Sequence, residues 1–175
     1  MNELLEKAKK LKCLICDVDG VLTDGSLYID NNGNELKAFN VQDGMGLKLL
    51  MSVGIEVAVI TTSRNAVIDH RMDQLGIQHY FKGQVDKSAA FNQLKERLNL
   101  KNEEIGYIGD DLPDLPIIRQ VGFGVAVANA VTQVKEFADW QTEKTGGFGA
   151  VREVCDLILS AQNRHEEAIS RYLKS

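Results

Sequence analysis

Two aspartates one residue apart, Asp17 and Asp19, stand directly behind the apolar run Cys13-Leu14-Ile15-Cys16 and ahead of Gly20. A run of that length and character reads as a buried strand. Its abrupt end projects two acids from the carboxyl edge, where ligands bind in an open parallel sheet. Carboxylates so placed either repel each other or share a cation. A second acidic cluster, Gly109-Asp110-Asp111-Leu112-Pro113-Asp114, follows the apolar run Ile105-Gly106-Tyr107-Ile108. Between the two clusters lie Thr61, after Glu56-Val57-Ala58-Val59-Ile60, and Lys87, shortly after His79-Tyr80-Phe81. One polar loop means little. Four of them, carrying acids, a hydroxyl and an ammonium, describe a site.

The chemistry open to that set is phosphoryl transfer. Several carboxylates around one spot call for a divalent cation, and hard oxygen ligands with room for water suit Mg²⁺. Lys87 as a point charge and Thr61 as a hydroxyl donor would hold a phosphate beside it. A carboxylate next to a bound phosphorus atom is a nucleophile that yields an acyl-phosphate. A second acid two residues on is spaced to protonate the leaving oxygen and later to deprotonate water. Transfer to water, driven by positioning and charge neutralisation, is the reaction class expected.

Elements with the right periodicity stand where the site needs them. A short helix to about Lys10 precedes the first strand. Ser26-Leu27-Tyr28-Ile29 and Glu35-Leu36-Lys37-Ala38-Phe39 flank Asp30-Asn31-Asn32-Gly33-Asn34 and predict a β-hairpin over about 26–39, inserted directly after the carboxylates. Its apolar residues (Leu27, Ile29, Leu36, Phe39) ask for a partner surface. Helices are predicted over Asp43–Val53, with Met45, Leu49, Leu50 and Val53 inward, over Asn65–Leu75 stopped by Gly76, and over Lys87–Leu98. Shorter ones are predicted over Leu115–Val121 and Val131–Phe137 around the strand Gly124–Val127. That alternation predicts an α/β fold: a doubly wound, mostly parallel, Rossmann-like sheet in a single domain over 1–175, with a C-terminal tail over about 162–175.

Composition narrows the partners. A formal charge of −5 and no basic block argue against nucleic acid, and no run of about 18 apolar residues suggests a membrane span. The charged Met1–Lys10 segment lacks the apolar core of a signal peptide, so a cytoplasmic protein is expected. Cys13 and Cys16 spell C-x-x-C, but residues three apart on a strand face opposite sides and cannot share a metal. With Cys155 they read as small buried apolar side chains in a reducing compartment. His70, His79 and His165 show no ligand spacing.

The ordered set Asp17-Val18-Asp19-Gly20-Val21-Leu22-Thr23-Asp24-Gly25, Thr61, Lys87 and Gly109-Asp110-Asp111-x-x-Asp114 resembles the four motifs of the haloacid dehalogenase-type phosphatases. Lys37-Ala38-Phe39-Asn40-Val41-x-Asp43-Gly44 and Gly146-Gly147-x-Gly149-Ala150-Val151-Arg152-Glu153-Val154-Cys155-Asp156 make it similar to their capless 3-deoxy-D-manno-octulosonate 8-phosphate phosphatases. That resemblance implies Asp17 as nucleophile and metal ligand, and Asp19 as acid/base and a ligand through its backbone carbonyl. It implies Thr61 and Lys87 on the phosphate, Asp110 completing the Mg²⁺ shell, and Asp114 orienting Lys87. Asp19, Asn40, Val41, Gln42, Asp43, Gly44, Lys48, Ser63, Arg71 and Lys87 are the implied substrate-binding residues. A homotetramer whose hairpins associate, with each site covered by a neighbouring subunit, and a step in lipopolysaccharide biosynthesis are implied with them.

The chain leaves the family pattern at three places. Thr62-Ser63 replaces the usual Gly-Arg, Gln42 replaces a common Arg, and Phe148 replaces a basic residue. Each removes a partner for the substrate's carboxylate or hydroxyls, which brings in a nine-carbon, sialic-acid-type 9-phosphate as the alternative substrate. Readings from other classes are a receiver-like signalling domain and a catalytically silent sugar-phosphate-binding subunit. In a receiver the acidic pair comes first and the phospho-acceptor stands alone later, the reverse of the order here. Intact Asp17, Asp19 and Lys87 argue against a silent subunit.

Overall fold

The computed structural model describes residues 2–173. Helix α1 (Asn2–Lys9) leads into β1 (Cys13–Cys16), the hairpin strands β2 (Tyr28–Ile29) and β3 (Glu35–Leu36), and α2 (Val41–Ser52). Then follow β4 (Glu56–Ile60), α3 (Ala66–Leu75), β5 (His79–Phe81), α4 (Lys87–Leu98) and β6 (Ile105–Gly109). The chain continues through α5 (Leu115–Ile118), β7 (Phe123–Ala126), α6 (Thr132–Phe137), β8 (Trp140–Gln141), α7 (Ala150–Ala161) and α8 (His165–Leu173). Six strands form one sheet in the order β5-β4-β1-β6-β7-β8, every pairing parallel. The expected doubly wound α/β sheet is the one found, with the hairpin as a separate two-stranded sheet.

β1 is buried at all four residues, as a central strand covered on both faces must be. The chain winds outward from it on both sides, so the carboxyl ends of β4, β1 and β6 lie side by side at the crevice where such folds bind ligands. Local chemistry sets the helix ends. The Asn40 side chain accepts from the Gln42 and Asp43 amides to start α2, Asn65 accepts from Val67 for α3, and Asp86 accepts from Ser88 for α4. Gly76, at φ 77°, stops α3.

Three sequence expectations need adjustment. Met45 does not face inward: it is 37 % exposed, and the Tyr172 hydroxyl of α8 donates to its sulfur. The inner face of α2 instead runs through Asp43, Gly44, Gly46, Leu47, Leu49 and Leu50, because Gly44 and Gly46 let neighbouring side chains pack against the helix backbone, an effect apolar spacing does not register. The hairpin ladder is shorter than predicted, with Tyr28 opposite Leu36 and Ile29 opposite Glu35, and Leu27, Ile29 and Leu36 lie on its exposed surface. β8 was not foreseen, two residues being too few for a pattern. The tail forms α8 with Ala168 buried; residues 174–175 lie outside the described residues. The three cysteines are free and buried.

The loop before α7 is pressed against the one that follows β1. Gly147 donates its amide to the Val21 carbonyl and Gly146 to the Asn129 side chain, and a Cβ on Gly146 would collide with the Gly20 carbonyl. Gly146→Ala should therefore force the two loops apart at a cost of about 2 kcal/mol, which at this size is roughly 4–8 °C in Tm. Thermal unfolding measures it, and an unchanged Tm would mean the loops separate freely.

Candidate active site

Lys87 is the first residue of α4, the end of a helix least hospitable to a cation, and it is buried. Its Nζ donates to Asp17 Oδ1 at 2.7 Å, to Asp114 Oδ1 at 2.7 Å and to the Tyr107 hydroxyl at 3.2 Å. Tyr107 in turn donates to Asp114 Oδ1 at 2.6 Å. The other Asp114 oxygen accepts the Asp110 and Asp111 amides at 2.9 and 3.2 Å, closing the turn Leu112–Asp114 that Asp111 caps. Asp114 is thereby fully occupied, whereas Asp17 has Lys87 as its one side-chain partner among the described residues.

Asp17, Asp19, Lys87, Asp110 and Asp114 line one cavity of about 230 Å³, together with Gly25, Thr62, Asp111 and Pro113. Asp110 is brought there by Gly20, whose φ of 85° and missing Cβ admit the carboxylate against the loop after Asp19. Asp19 is held from the hairpin side: Lys37 Nζ lies 2.5 Å from Asp19 Oδ1 and 2.6 Å from Glu35 Oε1.

Acids crowded out of water hold their protons. Burial, and then the charge of Asp114, push the Asp17 carboxyl up to about 7 against the opposing pull of Lys87. Burial and the charges of Asp17, Asp114 and Asp111 push Asp110 up to about 8. For Lys87, burial works against the ammonium, but Asp17 and Asp114 outweigh it and its pKa is raised.

The donor set suits a hard divalent cation. Oxygens of Asp17, Asp110 and Asp114 lie within 4.8 Å of one another. Because Asp114 is saturated by Lys87, Tyr107 and two amides, Asp17 and Asp110 are the carboxylates left to bind. The Asp19 carbonyl, which accepts no backbone hydrogen bond among the described residues, is the remaining oxygen nearby in sequence.

The other expected residues divide. Thr61 is fully buried, its Oγ1 accepting the Ser63 amide at 3.1 Å, and Thr62 is the threonine that lines the cavity. Val41, Gly44, Lys48 and Arg71 line a separate groove of about 110 Å³ with Met45 and Leu75. Arg71 donates to the Asn40 carbonyl at 3.3 Å, and Asn40 donates through its side chain to the Gly147 carbonyl at 3.3 Å. Gln42 is exposed, and the Ser63 hydroxyl oxygen accepts the Asn65 amide. Asp43 faces neither space: buried, it accepts the Gly149 and Arg152 amides at the start of α7, at 3.2 and 2.8 Å. Its carboxylate is occupied in joining two helix N-termini rather than left open to a ligand in this chain.

Sequence reasoning passed over Tyr107 and the Asp19 pairing of Lys37. A tyrosine inside an otherwise aliphatic strand needs a partner for its hydroxyl, and Glu35-x-Lys37 puts two charges on one strand face. Those were the available signals.

A doubly wound sheet whose first strand ends in D-x-D, with a lysine and a late acidic turn closing on it, defines a haloacid dehalogenase-like hydrolase, and the family model of that description matches residues 76–154. The 3-deoxy-D-manno-octulosonate 8-phosphate phosphatase of Yersinia pestis is 47% identical over 95% of this chain and 89% of its own length. The Moraxella catarrhalis phosphatase of the same name, solved with magnesium, phosphate and the sugar acid, is 47% identical with a TM-score of 0.95, over 98% of this chain and 99% of that one. A Legionella pneumophila structure assigned to subfamily III A of these hydrolases is 73% identical with a TM-score of 0.97, over 100% of this chain and 96% of that one. The chain belongs to the 3-deoxy-D-manno-octulosonate 8-phosphate phosphatase family.

The raised acids give stability a definite sign. A carboxyl whose pKa is higher folded than unfolded stabilises fully below its unfolded value, near 4, and that contribution is lost as pH climbs through the folded value. Metal-free protein should therefore lose Tm steadily from pH 5 to pH 8.5, through about 7 for Asp17 and about 8 for Asp110. Differential scanning fluorimetry in chelator reads this, and a Tm that rises over the same window would contradict it.

Proposed function

We propose that the protein hydrolyses 3-deoxy-D-manno-octulosonate 8-phosphate to the free acid and phosphate, with Mg²⁺ as cofactor and through an aspartyl-phosphate on Asp17. The observation that carries this reading is the meeting of Asp17, Asp110 and Asp114 around buried Lys87 in an open, acid-lined cavity. The names of the relatives support the substrate, and the magnesium, phosphate and sugar acid in the Moraxella complex support the cofactor and product.

In this reading Asp17 Oδ2 attacks phosphorus while Oδ1 stays on Lys87, and the bond from phosphorus to the sugar oxygen breaks. Asp19 gives that oxygen its proton, then takes one from a water molecule that attacks the phosphorus of the acyl-phosphate. This second step restores the Asp17 carboxylate and releases phosphate. Lys87 and, on the cavity wall, Thr62 face the phosphoryl oxygens, Thr61 is buried behind them with its hydroxyl oxygen on the Ser63 amide, and Asp114 keeps Lys87 aimed. Asp17, Asp110 and the Asp19 carbonyl would hold Mg²⁺, which when bound neutralises the acids and draws charge from the phosphoryl group.

Asn40, Val41, Gln42, Gly44, Lys48, Ser63 and Arg71 belong to the sugar-acid side of the reading, and Asp43 supports it only by fixing the loop before α7. It also takes residues 1–175 as one domain, cytoplasmic, and assembled as a homotetramer. Leu27, Ile29 and Leu36, 66%, 63% and 63% exposed on the hairpin, support an assembly that covers them. Gln42, Ser63 and Phe148 support a second reading, a phosphatase for a nine-carbon sialic-acid-type 9-phosphate.

Phosphate release from a panel of sugar-acid phosphates, with and without Mg²⁺, is the test. Turnover should need the metal, should favour the eight-carbon ester in kcat/KM, and should fall on the order of 10³-fold or more in Asp17→Asn. Preference for the nine-carbon ester would select the second reading, and an active Asp17→Asn variant would remove Asp17 as nucleophile. Sedimentation at working concentration should give four chains per particle; a clean monomer would refute the shared assembly.

A further inference from the structure

We infer that Lys37 is a positioning residue for proton transfer. Its ammonium fixes one oxygen of Asp19 so that the other is presented to the oxygen leaving phosphorus. The inference rests on the phosphatase reading above and gives that reaction a residue it otherwise lacks.

Glu35 and Lys37 are alternate residues on the returning arm of the hairpin, so both side chains leave the same face, while Leu36 between them faces outward. On that face Lys37 Nζ lies 2.5 Å from Asp19 Oδ1 and 2.6 Å from Glu35 Oε1, and the lysine side chain is only 2% exposed. A surface lysine would hold a carboxylate loosely, since two long side chains must give up their freedom for a screened attraction. Here the side chain is shielded by its two partners. Burial works against its charge, and the two carboxylates more than offset that and raise its pKa, so it stays an ammonium clamped between them.

Among the described residues, Lys37 is the only hydrogen-bond partner of the Asp19 carboxylate. Asp19 Oδ2 is unengaged, and Asp19 lines the cavity that holds Asp17. The two acids of the D-x-D are therefore held by different lysines from different elements: Asp17 by Lys87 of α4, Asp19 by Lys37 of the hairpin. A general acid works only within hydrogen-bond reach of its oxygen, and displacement by an ångström is costly. Glu35 supplies the second anchor that stops the ammonium from following Asp19 as it moves.

The test separates this role from one of merely anchoring the hairpin. In kcat/KM only the steps through formation of phospho-Asp17 count. There a simple alkyl phosphate needs its leaving oxygen protonated and 4-nitrophenyl phosphate does not. With Mg²⁺ present, Lys37→Met should lower kcat/KM by about tenfold or more on the alkyl ester and by less than about threefold on the nitrophenyl ester. Asp19→Asn should show the same bias more strongly, and Lys37→Arg should recover part of the alkyl activity. Glu35→Gln, which leaves the lysine in place, should show a smaller bias of the same sign even if Lys37→Met folds poorly. Equal losses on both esters, or no loss on either, would overturn the inference while leaving the phosphatase reading standing. Wild-type protein that releases phosphate from neither ester and from no sugar-acid phosphate overturns both.

Discussion

Everything in the site depends on one buried ammonium. Lys87 starts α4, Asp17 directly follows β1 and Asp114 closes the turn after β6, so the Lys87 Nζ contacts at 2.7 Å tie together three segments that are distant in sequence. Taking a lysine and two aspartates out of water is favourable only when nearly every donor and acceptor is met. That condition is satisfied on the Asp114 side, where Tyr107 and two backbone amides take the remaining capacity. It is left unsatisfied on the Asp17 side. In the proposed reaction the difference separates a supporting acid from a reacting one, and it arises from hydrogen-bond saturation, since both are buried aspartates on the same lysine.

The same crowding that makes Asp17 and Asp110 reluctant to ionise makes the cavity a poor host for a phosphate dianion. Five aspartates line it against one lysine. A divalent cation held by Asp17 and Asp110 would relieve the repulsion among the acids and the repulsion of the phosphate together. Metal binding and substrate binding are thus answers to a single electrostatic problem. Lys87 alone solves only half of it, because its charge is already shared between two carboxylates.

What could be read from sequence followed local signals. β1 is an uninterrupted apolar run and β4 becomes one after Glu56, while Asn65, Gly76 and Asp86 carry the capping chemistry of α3 and α4. The doubly wound order followed from their alternation. What escaped depends on partners remote in the chain. Asp43 sits among residues matched to a sugar pocket, but its carboxylate is taken by amides 106 and 109 residues away. The inward face of α2 was misphased at Met45 because two glycines, not apolar side chains, make its closest contacts. Thr61 reads as a free hydroxyl, whereas in the fold it is buried against its own turn. Tyr107 looked like core filler, and its hydroxyl turned out to be part of the lysine cage.

The hairpin has two faces with different physics. Its outer face carries exposed Leu27, Ile29 and Leu36; its inner face carries Glu35 and the Lys37 ammonium bonded to Asp19. Two ladder pairs are too few to hold such a ribbon rigid by themselves. Its position relative to the sheet rests on the ion pair on the inner face and on Phe39, which packs against the core with Arg71 over its ring. A surface that covers Leu27, Ile29 and Leu36 therefore also restrains Asp19, with Lys37 as the link. Asp17 needs no such support, because Lys87 holds it from α4, which packs on the sheet. The proposed nucleophile belongs to the core, and the proposed acid beside it is held from a two-stranded hairpin outside the sheet.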